Sequence, residues 1–195
     1  MNKVRRFRFD DPLASRFIHK TVKHPLKLMI WGCFSSKGVG SLKICDGYMN
    51  SEKYIDVLNS NLLPSINKDE CDDAFYHLDD SAPCHRTKSV NEWHLKNKIN
   101  RIKWPGNSPD LNPIENLWSF MKSKLRKKTI TTKRKLIENI IEIWYHQIPR
   151  QYLEKLSSSM KTRLKMVIDK KGGNTKLGLS RDEITGNFRE SRRDF

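Results

Sequence analysis

The sequence predicts an α/β fold, a mixed sheet flanked by helices, with extra helices on its C-terminal side. Three observations carry that reading. Two apolar runs, LKLMIWGCF (26–34) and VGSLKIC (39–45), flank the short break Ser-Ser-Lys-Gly, which is the pattern of a β-hairpin. Downstream, short strand candidates alternate with amphipathic stretches, as in a sheet that carries helices on its faces. From Ile114 to Ile168 the apolar residues recur at helical spacing.

The elements follow in order. Residues 1–26 are basic and irregular, with a short strand candidate at Val4–Phe9 ahead of the hairpin. From Ser51, Tyr54, Ile55, Leu58 and Leu62 lie on one helical face, and Pro64 is expected to end that run. The acidic stretch KDECDD leads into AFYHL (74–78), a short strand of buried type, and then into the loop DDSAPCH. Residues 86–98 form a helix candidate with Val90 and Trp93 on one side, and NRIKW (100–104) reads as a second short strand. WPGNSPDLNPIENLW (104–118) is a Pro-rich loop that opens a helix marked by Ile114, Leu117, Trp118, Met121 and Leu125. Two more helices are expected near 133–147 and 150–169, the second stopped by Lys170-Lys171-Gly172-Gly173. Residues 1–176 form one domain, and the polar, unpatterned segment 177–195 is expected to be disordered.

Composition narrows the function. The chain has 195 residues, 36% of them hydrophobic, and a formal net charge of +16. That suits one domain with a lean core and a polyanionic partner. A membrane surface is the competing partner, but no run approaches the roughly 20 apolar residues of a spanning helix. The N-terminus lacks the apolar stretch of a signal peptide. The four cysteines, Cys33, Cys45, Cys71 and Cys84, form no CxxC pair, so a reducing, intracellular setting fits better than secretion.

Sites in α/β sheets collect where strands end and helices begin. Asp79 and Asp80 follow the strand AFYHL, and Glu115 stands in the first turn of the helix after the next strand. If those strands are parallel neighbours, Asp80 and Glu115 converge across 34 intervening residues. Converging carboxylates suit Mg²⁺ or Mn²⁺, and two such ions about 3.5–4 Å apart can activate a nucleophile against a phosphodiester. Each acid also has a plainer reading. Asn112-Pro113-Ile114-Glu115 matches a capping box, and Asp79 and Asp80 match turn residues.

A second candidate feature is KSKLRKKTITTKRK (122–135), with eight cations and no acid: Lys122, Lys124, Arg126, Lys127, Lys128, Lys133, Arg134 and Lys135. It reads as a stripe that contacts DNA phosphates, or as a solvated basic helix end. His85 stands beside the acids, either tuning them or meeting phosphate, or as an ordinary loop histidine. Trp31, Trp104, Trp118 and Trp144 fall in apolar patterns and are expected in the core. Cys84 lacks a base-and-orienter set and reads as a small buried residue.

Read together, MIWGCFSSKGVGSL, HLDDSAPCHRTK, WPGNSPDLNPIENLW and MKTRLKMVIDKKGGNTK resemble, in order and spacing, the DDE catalytic domain of the Tc/mariner superfamily of DNA transposases. The resemblance covers about residues 3–176. It implies an RNase H-like fold and Mg²⁺- or Mn²⁺-dependent cleavage and strand transfer at transposon ends, in the nucleus, by a protein that binds double-stranded DNA as a homodimer. Carried over by motif, Asp80 takes the place of the second catalytic acid and Glu115 that of the third. The first acid belongs on the first, central strand of the sheet, and this chain is expected to begin after it. Asp10 and Asp11 offer a substitute, although FDDP lacks the Asp-Glu pair of that position. The resemblance therefore implies a transposase-like endonuclease with an incomplete acid set and impaired catalysis. The alternative is a transposon-derived DNA-binding protein or gene fragment without catalysis.

Overall fold

The computed structural model describes residues 26–66, 76–80, 82–102, 108 and 111–171. The strand candidate Val4–Phe9, the substitutes Asp10 and Asp11, Cys71, Trp104 and the 177–195 tail lie outside these residues.

The hairpin forms as the sequence predicts. Strand β1 (Met29–Ser35) pairs antiparallel with β2 (Gly38–Cys45), from Met29↔Cys45 to Ser35↔Gly38, around the two-residue turn Ser36-Lys37. Its register shifts between Gly32 and Phe34. Gly32 is needed for packing. A Cβ there would lie 2.9 Å from Cη2 of Trp144 and 3.1 Å from the ring of Trp118. The Trp144 indole packs against the hairpin and donates from Nε1 to the Gly40 carbonyl of β2, 2.9 Å away.

Asn50 caps α1 (Ser51–Val57) by accepting from the Lys53 amide at 2.9 Å. The helix passes through a π-helical turn (Leu58–Leu62) into the short α2 (Leu63–Ser65) and ends at Ser65, one residue past Pro64, as expected. Tyr54, Val57, Leu58 and Leu62 form the buried face, against Val90, Trp93 and Ile99.

Strand β3 (Tyr76–His77) runs parallel to β4 (Asn100–Arg101), with His77 opposite Arg101. Leu78 and Ile102 lie just past the strand ends, while residues 74–75 and 103–104 of the two runs fall outside the described residues. Helix α3 (Lys88–Lys96), capped by Thr87, links them. Among the described residues the strands form two separate two-stranded sheets, β1–β2 antiparallel and β3–β4 parallel, rather than one mixed sheet.

Three helices follow: α4 (Ile114–Leu125), α5 (Lys133–Glu142), which continues as a π-helical turn (Ile143–Gln147), and α6 (Arg150–Asp169). Leu117, Met121, Ile143, Trp144, Leu153 and Leu156 bury together, and the hairpin side chains Phe34, Val39, Leu42 and Ile44 pack on them. Helix α6 ends at Asp169, where the expected stop Lys170-Lys171-Gly172-Gly173 begins. Lys171 adopts φ 50 and its amide bonds to the Ile168 carbonyl at 2.9 Å. Among the described residues, no helix is long and apolar enough to cross a membrane.

Candidate catalytic site

Because β3 and β4 are parallel, their C-terminal ends share one edge. A cavity of about 1270 Å³ opens there, and Asp79, Asp80 and Glu115 are its acidic lining among the described residues. Trp31 and Cys33 of β1 form part of another wall, with Met160 and Leu164 of α6. The two acids singled out in the sequence thus line one cavity.

The adjacent aspartates have different surroundings. The Asp79 side chain is 6% exposed and receives Arg101 in a fork, Nε to Oδ1 at 3.1 Å and Nη2 to Oδ2 at 2.6 Å. The Tyr54 hydroxyl donates to the same carboxylate at 3.2 Å. Burial and the nearby Asp79 carboxylate push the Tyr54 phenol well above its usual range, so it stays a donor. Asp79 is therefore charge-balanced and committed, a partnership that spacing alone did not reveal.

The Asp80 side chain is 62% exposed. Its Oδ1 accepts from the Ala82 amide at 3.0 Å and lies 2.7 Å from His85 Nδ1. The ring meets Oδ1 well off its N–H axis, so Nδ1 forms a close polar contact without a well-aligned hydrogen bond. The His85 contact, more than any other influence, holds the Asp80 carboxyl below the usual carboxylate range, against the opposing effect of burial. Asp80 stays ionised further into acid as a result.

Glu115 is exposed in the first turn of α4. The capping-box reading needs correction. Helix α4 starts one residue later than expected, with Pro113 as its cap residue. Asn112 Oδ1 accepts from the Ile114 amide at 3.3 Å, and among the described residues the Glu115 carboxylate makes no hydrogen bond back to the cap. Its charge still complements the helix N-terminus, while its oxygens remain available to the cavity.

A third group of potential ligands lies nearby. Ligand atoms of His77, Asp79 and His94 all fall within 4.8 Å of one another. His94 Nδ1 lies 2.8 Å from the Val90 carbonyl, which only accepts, so that nitrogen carries the proton. His94 Nε2 is then the acceptor, and His77 Nδ1 donates to it at 3.0 Å. With Asp79 already held by Arg101, these contacts fasten α3 to β3 and leave no carboxylate free for a cation. Burial lowers the His77 imidazole to about 4 and also lowers that of His94.

The basic run spans the end of α4 and the start of α5, and the structure divides it. Lys128 Nζ donates to Asn139 Oδ1 at 2.5 Å, Lys124 Nζ sits 5.3 Å over the Phe120 ring, and Arg134 pairs with Glu138 at 3.4 Å. Lys122, Arg126, Lys127, Lys133 and Lys135 are exposed, and their side chains have no partner among the described residues. Of the tryptophans expected in the core, Trp144 is fully buried and stacked on the half-buried Trp118, and Trp31 is half-buried. Cys84 is half-buried, and burial pushes its thiol up, away from nucleophilic use.

Comparison with known proteins fits this geometry. The Tcb2 transposase of Caenorhabditis briggsae is 32% identical over 158 residues, covering 80% of this chain and 57% of that protein. The Tc1 transposase of Caenorhabditis elegans is 32% identical over 173 residues, covering 85% of this chain and 62% of that protein. The chain thus spans about three fifths of the length of these relatives. Two solved structures share the RNase H-like fold. The Mos1 mariner paired end complex with Mn has a TM-score of 0.73 at 16% identity and covers 89% of this chain and 52% of that one. The Mos1 catalytic domain with raltegravir and Mg has a TM-score of 0.69 at 15% identity and covers 76% of this chain and 77% of that one. The family description "DDE superfamily endonuclease" matches residues 16–137, which hold Asp80, Glu115 and the cavity edge that joins them, and the chain belongs to that family.

Proposed function

We propose that this chain carries the acid-bearing part of a metal-dependent site for cutting and joining DNA, with Asp80 and Glu115 as ligands for Mg²⁺ or Mn²⁺. The observation that carries the reading is the contrast within the cavity: Asp79 is neutralised by Arg101, while Asp80 and Glu115 present exposed carboxylates to the same space. Two hard oxygen donors fit an ion that completes its shell with water and phosphate oxygens. When bound, such an ion supplies Lewis-acid charge to a phosphodiester and lowers the pKa of water. The protein's own part is to keep Asp80 ionised and exposed beside His85, to hold Glu115 at the rim of α4, and to keep the Asp79 charge out of the site. Mos1 structures solved with Mn and with Mg support the choice of ion.

Among the described residues two carboxylates are free in the cavity, which places two ions poorly, and the third, Asp79, is committed to Arg101. We therefore assign this chain, acting alone, weak or absent strand transfer. The paired end complex among its structural relatives supports transposon-end DNA as the substrate and a homodimer as the working form.

The test is a Mg²⁺- or Mn²⁺-dependent cleavage assay on transposon-end DNA, beside calorimetric titration with Mn²⁺. Asp80→Asn and Glu115→Gln are each expected to abolish metal binding while the protein still melts cooperatively. Robust strand transfer by the unmodified chain that Asp80→Asn abolishes would refute the impairment. Salt-sensitive DNA binding with no carboxylate-dependent metal binding would make the chain a non-catalytic DNA-binding protein.

A further inference from the structure

Both short contacts to the Asp80 side chain fall on one oxygen. The Ala82 amide and His85 Nδ1 meet Oδ1, at 3.0 Å and 2.7 Å. Among the described residues no hydrogen bond or ion pair reaches Oδ2. His85 is itself fixed at both its backbone and its ring. It ends the 3₁₀ turn Pro83–His85, and its amide bonds to the Ala82 carbonyl at 2.9 Å. Its ring stacks on Tyr54, with centroids 3.8 Å apart and planes 24° apart. Tyr54 cannot give way easily, because it is 1% exposed in α1 and its hydroxyl is tied to Asp79 at 3.2 Å. The loop backbone is held as well, since Arg86 Nη2 donates to the Asp80 carbonyl at 3.4 Å.

We infer that His85 is a positioning residue: braced by Tyr54, it fixes Asp80 through Oδ1 so that Oδ2 alone is offered to a divalent cation. This rests on the reading of Asp80 as a metal ligand. His85 does not touch the cation. It limits rotation of the carboxylate, as outer-shell partners of metal-binding side chains do. The bracing matters because Asp80 is exposed, and an exposed aspartate without such contacts spreads over several rotamers and loses entropy on binding. Helix α1 thereby takes part in the site through a stacked ring, although it supplies no ligand. The shape of the contact names the substitute that can replace His85. Asparagine places its amide nitrogen near the position of Nδ1, whereas glutamine reaches toward that of Nε2.

The experiment measures Mn²⁺ affinity of the full chain by calorimetry, with thermal melts of each variant as the check on folding. Removal of an outer-shell partner typically weakens metal binding by about ten- to a hundredfold, and His85→Ala is expected in that range. His85→Asn should restore most of the affinity and His85→Gln should not. Asp80→Asn marks full loss of the site. Equal affinity in the wild type and His85→Ala, with binding still lost in Asp80→Asn, would overturn the positioning role and leave the proposed function standing. Absence of any Asp80-dependent binding in the wild type would overturn both. If His85→Ala fails to melt cooperatively, the Asn–Gln pair decides: equal affinities sink the inference, and a deficit confined to glutamine supports it.

Discussion

Arg101 and Asp79 join the two parallel strands at the edge where the cavity opens: a guanidinium from β4 grips a carboxylate just beyond β3 at 2.6 Å and 3.1 Å. The pair is buried, at 11% and 6% side-chain exposure, so removing one partner strands a charge away from water. Arg101→Met is expected to destabilise the protein by about 3–5 kcal/mol in urea unfolding, the range for a broken buried pair. The double change Arg101→Met with Asp79→Leu should recover a large part of that loss, because the two buried charges leave together and Arg86, 3.8 Å from Asp79, is 31% exposed and keeps its bond to the Asp80 carbonyl. A single variant as stable as the wild type would show that the pair does not hold the strands together.

Gly32 and Gly38 give a second, internal comparison on the hairpin. A methyl at Gly32 would lie 2.9 Å from the buried Trp144 ring, whereas a methyl at Gly38 meets nothing within 4 Å. Gly32→Ala should therefore cost about 1–3 kcal/mol through overpacking of Trp144 and Trp118. Gly38→Ala should stay within about 0.5 kcal/mol of the wild type, as open surface positions do. Equal unfolding midpoints for the two variants would remove Trp144 from its assigned place against β1.

Much of this arrangement is legible in the sequence where the signal is local. The hairpin follows from two apolar runs around a polar break, and α4 to α6 follow from sustained helical periodicity. The parallel pairing that brings Asp80 and Glu115 to one cavity was inferred as a condition, and β3–β4 meets it. What escaped depends on register. Arg101 reaches Asp79 only because His77 pairs with Arg101, and no local pattern distinguishes that register from one shifted by a residue. The His77–His94 bond escaped for the same reason, although Val90 and His94, four residues apart, already marked one helix face.

The two buried imidazoles predict a loss of stability in mild acid. Burial holds His77 at about 4 in the folded protein, against 6.5 for the free side chain. Between those values the unfolded chain binds more protons than the folded one, so stability falls as pH drops from about 6.5 toward 4 and levels off below. A difference of that size corresponds to roughly 3 kcal/mol from His77, with His94, also lowered, adding in the same direction. Urea midpoints measured from pH 7.5 to 4.5 should show this slope, and His77→Gln should flatten it. A midpoint that does not move across that range would contradict the donor and acceptor roles assigned to the pair.

The basic run predicts a graded response to salt. Of the five exposed cations without side-chain partners among the described residues, Arg126, Lys127, Lys133 and Lys135 lie together at the α4–α5 junction, whereas Lys122 lies within α4, so these four are the ones best placed to meet phosphate together. Each phosphate contact contributes about 0.9 to the slope of log affinity against log salt on duplex DNA. Replacing all four by glutamine should therefore reduce that slope by up to about 3.6 in anisotropy titrations, and by the same amount on unrelated sequences, because phosphate contacts carry no base information. Lys128 is expected to behave differently. Its ammonium is bound to Asn139, so Lys128→Gln should lower thermal stability more than it lowers the salt slope. An unchanged slope in the fourfold variant would move the DNA-binding face away from the α4–α5 junction and onto another basic surface of the chain.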